Sequence, residues 1–233
     1  MEDGQPERRR DKNPLSEMFT DISRNRSDKY PYHVQDYMDI VLHVNSQLLC
    51  LVFNDPGLCS DFVNYVYNLS LAVQERYFGS RIDVEKEVSG VADSFVTMID
   101  LDRNGQFESG IAKALLFGTC LTICSTIEKI LRNVVLKEIK NDEYLDAGKT
   151  SLSEILQRYR LKDVSKGLKY YLEFYLIKEV STEGNGIDRP GRNLRNNLMH
   201  GHDDAYEKTD YGTCLMLFYL LLSLLGDLFL TIE

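Results

Sequence analysis

Tryptophan is absent from this 233-residue chain, and proline occurs only five times. With so few breakers, helices can run long distances without interruption. Cysteine is also sparse. Cys50, Cys59, Cys120, Cys124 and Cys214 are odd in number, irregular in spacing and form no C-x-x-C pair. That pattern excludes a fully paired disulfide framework and predicts buried thiols in a reducing compartment. Cys120 and Cys124 share a helical face, but two thiols do not complete a metal shell. The most hydrophobic run, Cys214 to Leu225, falls short of the roughly 20 residues that cross a bilayer, and Asp227 interrupts its continuation. The first residues are charged and lack the apolar stretch of a secretory signal. These features predict a cytoplasmic protein with no membrane partner. Basic charge is outnumbered, 27 Lys and Arg against 36 Asp and Glu, for a net charge of −9. This excludes a broad basic surface for DNA but leaves room for a local positive pocket.

Apolar residues make up 43% of the chain and charged residues 27%, an ordinary globular balance. A chain of this size buries roughly 70% of its unfolded surface, so it can build a real core. The apolar spacing is helical almost throughout, which predicts an all-α fold, a helical bundle. Three regions follow from the pattern. Residues 1–30 read as a flexible polar tail, 31–105 as an N-terminal helical region, and 106–233 as the main helical domain.

In the N-terminal region, Val34, Tyr37, Met38, Val41, Leu42, Val44, Leu48 and Leu49 mark a helix over His33–Phe53. Asn54-Asp55-Pro56-Gly57 reads as a turn. A helix from Ser60 to Phe78 would bury Val63, Val66, Tyr67, Leu69, Leu71 and Val73, and Gly79-Ser80 would end it. A third, from Asp83 to Ile99, would bury Val84, Val88, Val91, Phe95, Met98 and Ile99. Asp100-Leu101-Asp102-Arg103-Asn104-Gly105 copies the opening of a calcium loop. Its twelfth position, where a bidentate Glu belongs, is Ile111, so a plain turn between helices is the better reading.

A long helix is expected over Ile111–Ile139, with Ile111, Leu115, Leu116, Cys120, Ile123, Ile127, Ile130, Leu131 and Val134 on its stripe. Asn141–Lys149 is a polar connection. Ser151 and Glu154 have capping-box spacing for a short helix to about Tyr159. Asp163 would open another carrying Leu168, Tyr171, Leu172, Tyr175 and Leu176. Ser181–Pro190 is a loop. After the polar turn His202-Asp203-Asp204, Asp210 leads into a last helix, Tyr211–Thr231, apolar nearly all round and so central or at an interface.

The chemistry concentrates in Gly191-Arg192-Asn193-Leu194-Arg195-Asn196-Asn197-Leu198-Met199-His200-Gly201. Arg195 carries a planar fork of donors suited to phosphate. His200 is the side-chain type that moves protons near neutral pH. Asn196 and His200, four apart, share a helical face, whereas Arg195 and His200, five apart, are separated by roughly 140°. Gly201 suits the left-handed cap that ends a helix. A polar cluster that only bridges helices remains the alternative at this point.

The run Arg195-Asn196-Asn197-Leu198-Met199-His200 resembles the R-N-x-x-x-H signature of the HEPN superfamily. The longer G-x-N-L-R-N-x-x-x-H-G context, with Glu128-Lys129-Ile130-Leu131-Arg132 upstream, is similar to the C-terminal part of an uncharacterised HEPN family. The resemblance covers roughly residues 110–233. It implies a HEPN-like up-and-down bundle that forms a homodimer with a composite site. It also implies a metal-independent endoribonuclease that needs no cofactor and cuts RNA by 2′-OH transesterification, in a growth-arrest toxin or phage-defence setting with a regulatory protein partner. Arg195, Asn196 and His200 would be its catalytic residues, and Arg192, Asn193 and His202 its substrate-binding residues. Glu128 and Arg132 are further candidates to face the site. One toxin branch carries R-x-x-x-x-H-x-Y, with a tyrosine that a partner modifies. Here His202 stands at that position, which puts such control in doubt. A non-catalytic HEPN-like module that dimerises and binds nucleotide, RNA or protein is the alternative.

Overall fold

A computed structural model describes residues 56–80, 82–106, 109–138, 150–159, 161–177, 179–180, 189–190, 193–201 and 205–230. The tail, the expected helix over 33–53 and the connection over 141–149 lie outside the described residues. The described part is an all-α bundle with one minimal β pairing. Its elements are α1 (Pro56–Val73), α2 (Glu85–Arg103), α3 (Gly110–Glu138), α4 (Leu152–Arg158), α5 (Lys166–Leu176), β1 (Glu179–Val180), β2 (Arg189–Pro190), α6 (Leu194–Met199), α7 (Ala205–Lys208) and α8 (Tyr211–Leu230).

The core of the bundle forms where α1, α2, α3 and α8 pack on one another. α8 is central, as its all-round apolarity predicts. Phe62 of α1, Phe95 of α2 and Phe218 of α8 meet with ring centroids 5.3 to 5.9 Å apart. Each such ring pair adds about 0.5–1.5 kcal/mol beyond simple burial. The N-terminal helices therefore share one core with the rest of the described chain. α3 spans 29 residues, about 43 Å, and forms a spine on which α2, α4, α6 and α8 pack. Lys129 of α3 bonds Glu87 of α2 at 2.5 Å and helps fix that pairing.

Several expectations need correction. α1 begins at Pro56 rather than near Ser60, because proline at the first helical position lacks only an N–H that would be unpaired anyway, and Asn54 and Asp55 of the expected turn lie outside the described residues. Its buried face is Cys59, Phe62, Val66, Ser70 and Val73, while Tyr67 is exposed and Val63 and Leu69 are only half-buried. The expected list mixed two faces of one helix. After Val73 the helix widens into a π-helical turn, Gln74–Phe78, and Gly79 closes it at φ 60°. The calcium-like hexapeptide is largely helical, since α2 continues to Arg103, and the turn is confined to Asn104-Gly105. Ile111, expected on the α3 stripe, is 77% exposed. Asp163 does not open α5. Ser165 caps it, and Asp163 accepts a hydrogen bond from the Tyr77 hydroxyl at 2.5 Å.

Two helices, over 110–137 and 211–229, are long and apolar enough to cross a membrane. Asp227 lies inside α8, which runs as expected through that position, and it does not keep the helix from being long and apolar enough by that measure. It is buried and accepts the Ser165 backbone N–H at 3.0 Å, so the α8 side chain caps α5. Of the most apolar α8 window, 72% is buried inside the bundle, the pattern of a core helix.

Candidate functional site

Short-range geometry delivers the motif to the bundle. α5 ends at Leu176, and β1 then pairs antiparallel with β2, Glu179 opposite Pro190 and Val180 opposite Arg189. This returns the chain to the end of α5, where the Asn193 N–H donates to the Ile177 carbonyl at 3.1 Å. Asn193 turns into α6 through a left-handed conformation, φ 53°. Asparagine tolerates that region better than most side chains. Leu198 is buried and anchors α6, which packs on α3 and α5. His200 ends the helix, and Gly201 follows at φ 59°, the expected left-handed cap.

A charge network forms where α6 meets α3. Arg195 Nε donates to Glu128 Oε2 at 2.9 Å, and Nη2 lies 2.9 Å from the same oxygen. Glu128 Oε1 accepts from Arg132 Nη2 at 2.6 Å and from Nε at 3.2 Å. One carboxylate thus serves two guanidiniums. The three side chains are mostly shielded from water, at 13% exposure for Glu128, 19% for Arg132 and 23% for Arg195. Arg195 Nη1 donates to Asn196 Oδ1 at 2.9 Å, and Asn196 Nδ2 donates to Asn193 Oδ1 at 2.9 Å. A thiol lies beside this network. Burial pushes the Cys124 thiol up, Cys120 adds to that, and Arg195 opposes it.

The fold therefore brings Arg195, Asn196 and Asn193 together with Glu128 and Arg132. His200 stands exposed at the opposite end of α6. Arg192 and His202 lie outside the described residues. Arg195 and Asn196 also line a partly open cavity of about 280 Å³. The rest of its lining was not expected to share the site: Ser151, Leu152 and Ser153 at the start of α4, and Leu176 and Ile177 at the end of α5. The capping box was readable, and Ser151 N–H does donate to Glu154 Oε2 at 2.7 Å. Nothing in that local signal says which helix the turn will face. Among the described residues, no group of three or more His, Cys, Asp and Glu could hold a metal ion.

No family model, no curated protein and no solved structure matches this chain.

Proposed function

We propose that the chain is a HEPN-type, metal-independent endoribonuclease that acts as a homodimer, with the α6 helices of two copies facing one cleft. The observation that carries the reading is the oriented Arg195. Glu128 and Asn196 hold its guanidinium at the cavity. A cation so fixed suits the charge that grows on a phosphate in the transition state. His200 is exposed at the end of the same helix, and its side-chain type suits proton transfer to a bound strand.

In this mechanism the RNA 2′-oxygen attacks the adjacent phosphorus, and the bond from phosphorus to the 5′-oxygen breaks. His200 accepts the proton of the 2′-hydroxyl, and His200 of the second copy protonates the departing 5′-oxygen. The products are a 2′,3′-cyclic phosphate and a free 5′-hydroxyl. Arg195 binds the non-bridging oxygens, Asn196 orients the guanidinium, and Glu128 acts as a positioning residue. Toxin or defence duty, and a regulatory protein partner, belong to the same proposal.

One observation favours a second reading, a non-catalytic binding module. Arg195 is already engaged by a carboxylate, so an incoming phosphate competes with Glu128 for it. The deciding experiment incubates labelled structured RNA with the full chain in EDTA, beside His200→Ala and Arg195→Ala. The nuclease reading expects cleavage to cyclic ends by the wild type, lost in both variants while dimerisation persists. Binding without cleavage, insensitive to His200→Ala, would establish the module instead. Equal cleavage by all three proteins would remove Arg195 and His200 from the site.

A further inference from the structure

α3 is only partly covered by the bundle. Of its most apolar window 44% is buried, against 72% for α8. No charged side chain occurs between Lys113 and Glu128, yet part of that stretch faces water. At 100° per residue, Ile111, Ala114, Gly118, Leu121, Thr122 and Ser125 share a stripe about 100° wide, the width by which a helix usually faces a core. Ile111, Ala114, Thr122 and Ser125 are exposed, and Gly118 and Leu121 are half-buried. Packed neighbours flank the stripe. Thr126 and Lys129 bond Glu87 of α2 along one edge. Along the other, Phe117 meets Tyr206 of α7 with ring centroids 5.3 Å apart, and Lys113 pairs with Glu207. Tyr206 is itself 39% exposed and widens the apolar surface on that edge.

The chemistry of the stripe selects its occupant. A charged partner finds nothing there to pair with. The chain carries a net charge of −9, so two copies repel each other except across a surface without charge, and the stripe is such a surface. The ions at its edges, Lys113 with Glu207 and Lys129 with Glu87, already neutralise one another. Thr122 Oγ1 donates to the Gly118 carbonyl at 3.0 Å, so that hydroxyl needs no outside partner. Small residues at 114, 118, 122 and 125 let a facing helix come to the short end of the usual spacing of about 8–10 Å. Glycine in mid-helix is weaker than alanine, and a Cβ at Gly118 would meet no described atom within 4 Å. The described fold gains nothing from glycine there, whereas a backbone packed on it from outside does.

Position along α3 sets the direction of the pairing. Glu128, which holds Arg195, lies about 15 Å beyond Gly118 along the helix. A two-fold axis running along α3 puts the α6 helices of both copies at one level. A two-fold axis across α3 at Gly118 would part the two Glu128 side chains by about 30 Å. Within one copy, Arg195 stands in the first turn of α6 and His200 caps its far end, so a site using both needs the second copy.

We propose that the outer stripe of α3 is the seam of the homodimer: the α3 helices of two copies pack in parallel through Ala114, Gly118 and Thr122, about a two-fold axis that runs along them. Such a contact is isologous, each residue lying opposite its own copy. The direction of packing rests on the composite site of the nuclease reading, and the seam is what sets the two α6 helices on one cleft.

The test follows the full chain by sedimentation velocity over a range of concentrations. The wild type should dimerise, and Thr122→Arg, at an exposed position, should weaken the dimer about tenfold or more with helix content unchanged. Gly118→Leu adds apolar surface and should still weaken the dimer, because the seam needs close approach. A tighter dimer in Gly118→Leu would overturn the seam. In a Cys50→Ser background, Ala114→Cys and Thr122→Cys should each give a covalent dimer under mild oxidation, since a parallel pair places each position opposite itself. A covalent dimer formed only on mixing the two variants would mean an antiparallel pair and would overturn the proposal. So would a monomeric wild type, or a dimer indifferent to Thr122→Arg. Cross-linked seams without RNA cleavage would sink the nuclease reading and keep the dimer. Cleavage at the wild-type rate by monomeric Thr122→Arg would do the reverse.

Discussion

Glu128 stands between two arginines, with Oε1 2.6 Å from Arg132 and Oε2 2.9 Å from Arg195. The two partners are not equivalent. Arg132 lies one turn along the same helix, so its pairing with Glu128 is local, whereas Arg195 arrives from 67 residues away. The carboxylate is therefore both a screen between two cations and the tie between α3 and α6. Glu128→Gln removes the screen and leaves two shielded guanidiniums close together. Breaking a fully buried pair in this way costs about 3–5 kcal/mol, and the partial exposure here lowers the expected loss to about 2–4 kcal/mol. Arg195→Met leaves Glu128 still paired with Arg132 and should cost less. Chemical denaturation of the two variants checks the order, and a larger loss in Arg195→Met would mean that the carboxylate is not the hub.

Asn193 is the described non-glycine residue with positive φ, at 53°. Its backbone conformation sets the angle at which α6 enters the site, and its side chain accepts from Asn196. Asn193→Val should lose about 1–2 kcal/mol to the left-handed conformation alone. Asn193→Gly keeps the turn and loses only the side-chain hydrogen bonds with Asn196 and Asn197. If thermal unfolding ranks valine and glycine as equals, backbone strain is not what asparagine relieves here.

How much of this was legible follows from what helical periodicity encodes. The α2 stripe of Val84, Val88, Val91, Phe95, Met98 and Ile99 is buried as read, and so is the α5 stripe of Leu168, Tyr171, Leu172, Tyr175 and Leu176. Those helices have one dominant apolar face, and spacing alone identifies it. α1 has apolar residues around most of its circumference, so spacing could not choose between faces, and Tyr67 was assigned to the wrong one. Ile111 lies at the first turn of α3, where periodicity continues but, among the described residues, no helix covers it. At the site, the charges and caps were readable one by one: Arg195, Ser151 with Glu154, and Gly201. Their meeting was not. Which helix faces α6 depends on the β1–β2 return and on the Asn193 to Ile177 hydrogen bond, and both are set by tertiary packing. The α7 turn, Ala205–Lys208, left no signal because four residues are too few to establish a period.

The capping box at α4 should make that helix acid-sensitive. The Ser151 backbone N–H, with the Ser151 side chain beside it, holds the exposed Glu154 carboxyl below its ordinary value. A carboxyl depressed in the folded state contributes stability that is complete above its unfolded value, near 4.3, and is lost as pH falls through the lower folded value. Glu154→Gln should therefore be less stable than the wild type at neutral pH, and the gap should narrow as acid protonates the wild-type carboxyl. Denaturation midpoints for both proteins across that window check it. A gap that stays constant from neutral to acid would mean that the charge on Glu154 contributes nothing to the cap.

The described thiols should be silent in the folded protein. Cys59, Cys120, Cys124 and Cys214 are free and buried. Burial pushes the Cys124 thiol up, and Cys120 together with burial does the same to Cys214, so the reactive thiolate is scarce as well as covered. Arg195 pulls Cys124 the other way, and this couples the thiol to the site. In a Cys50→Ser background, a chromogenic disulfide reagent should label no thiol quickly under native conditions and all four in denaturant. Arg195→Ala should not make Cys124 faster, because the cation it removes favoured the thiolate. Faster native labelling in Arg195→Ala would show instead that the arginine holds α6 closed over α3, which would make its main contribution packing and not charge.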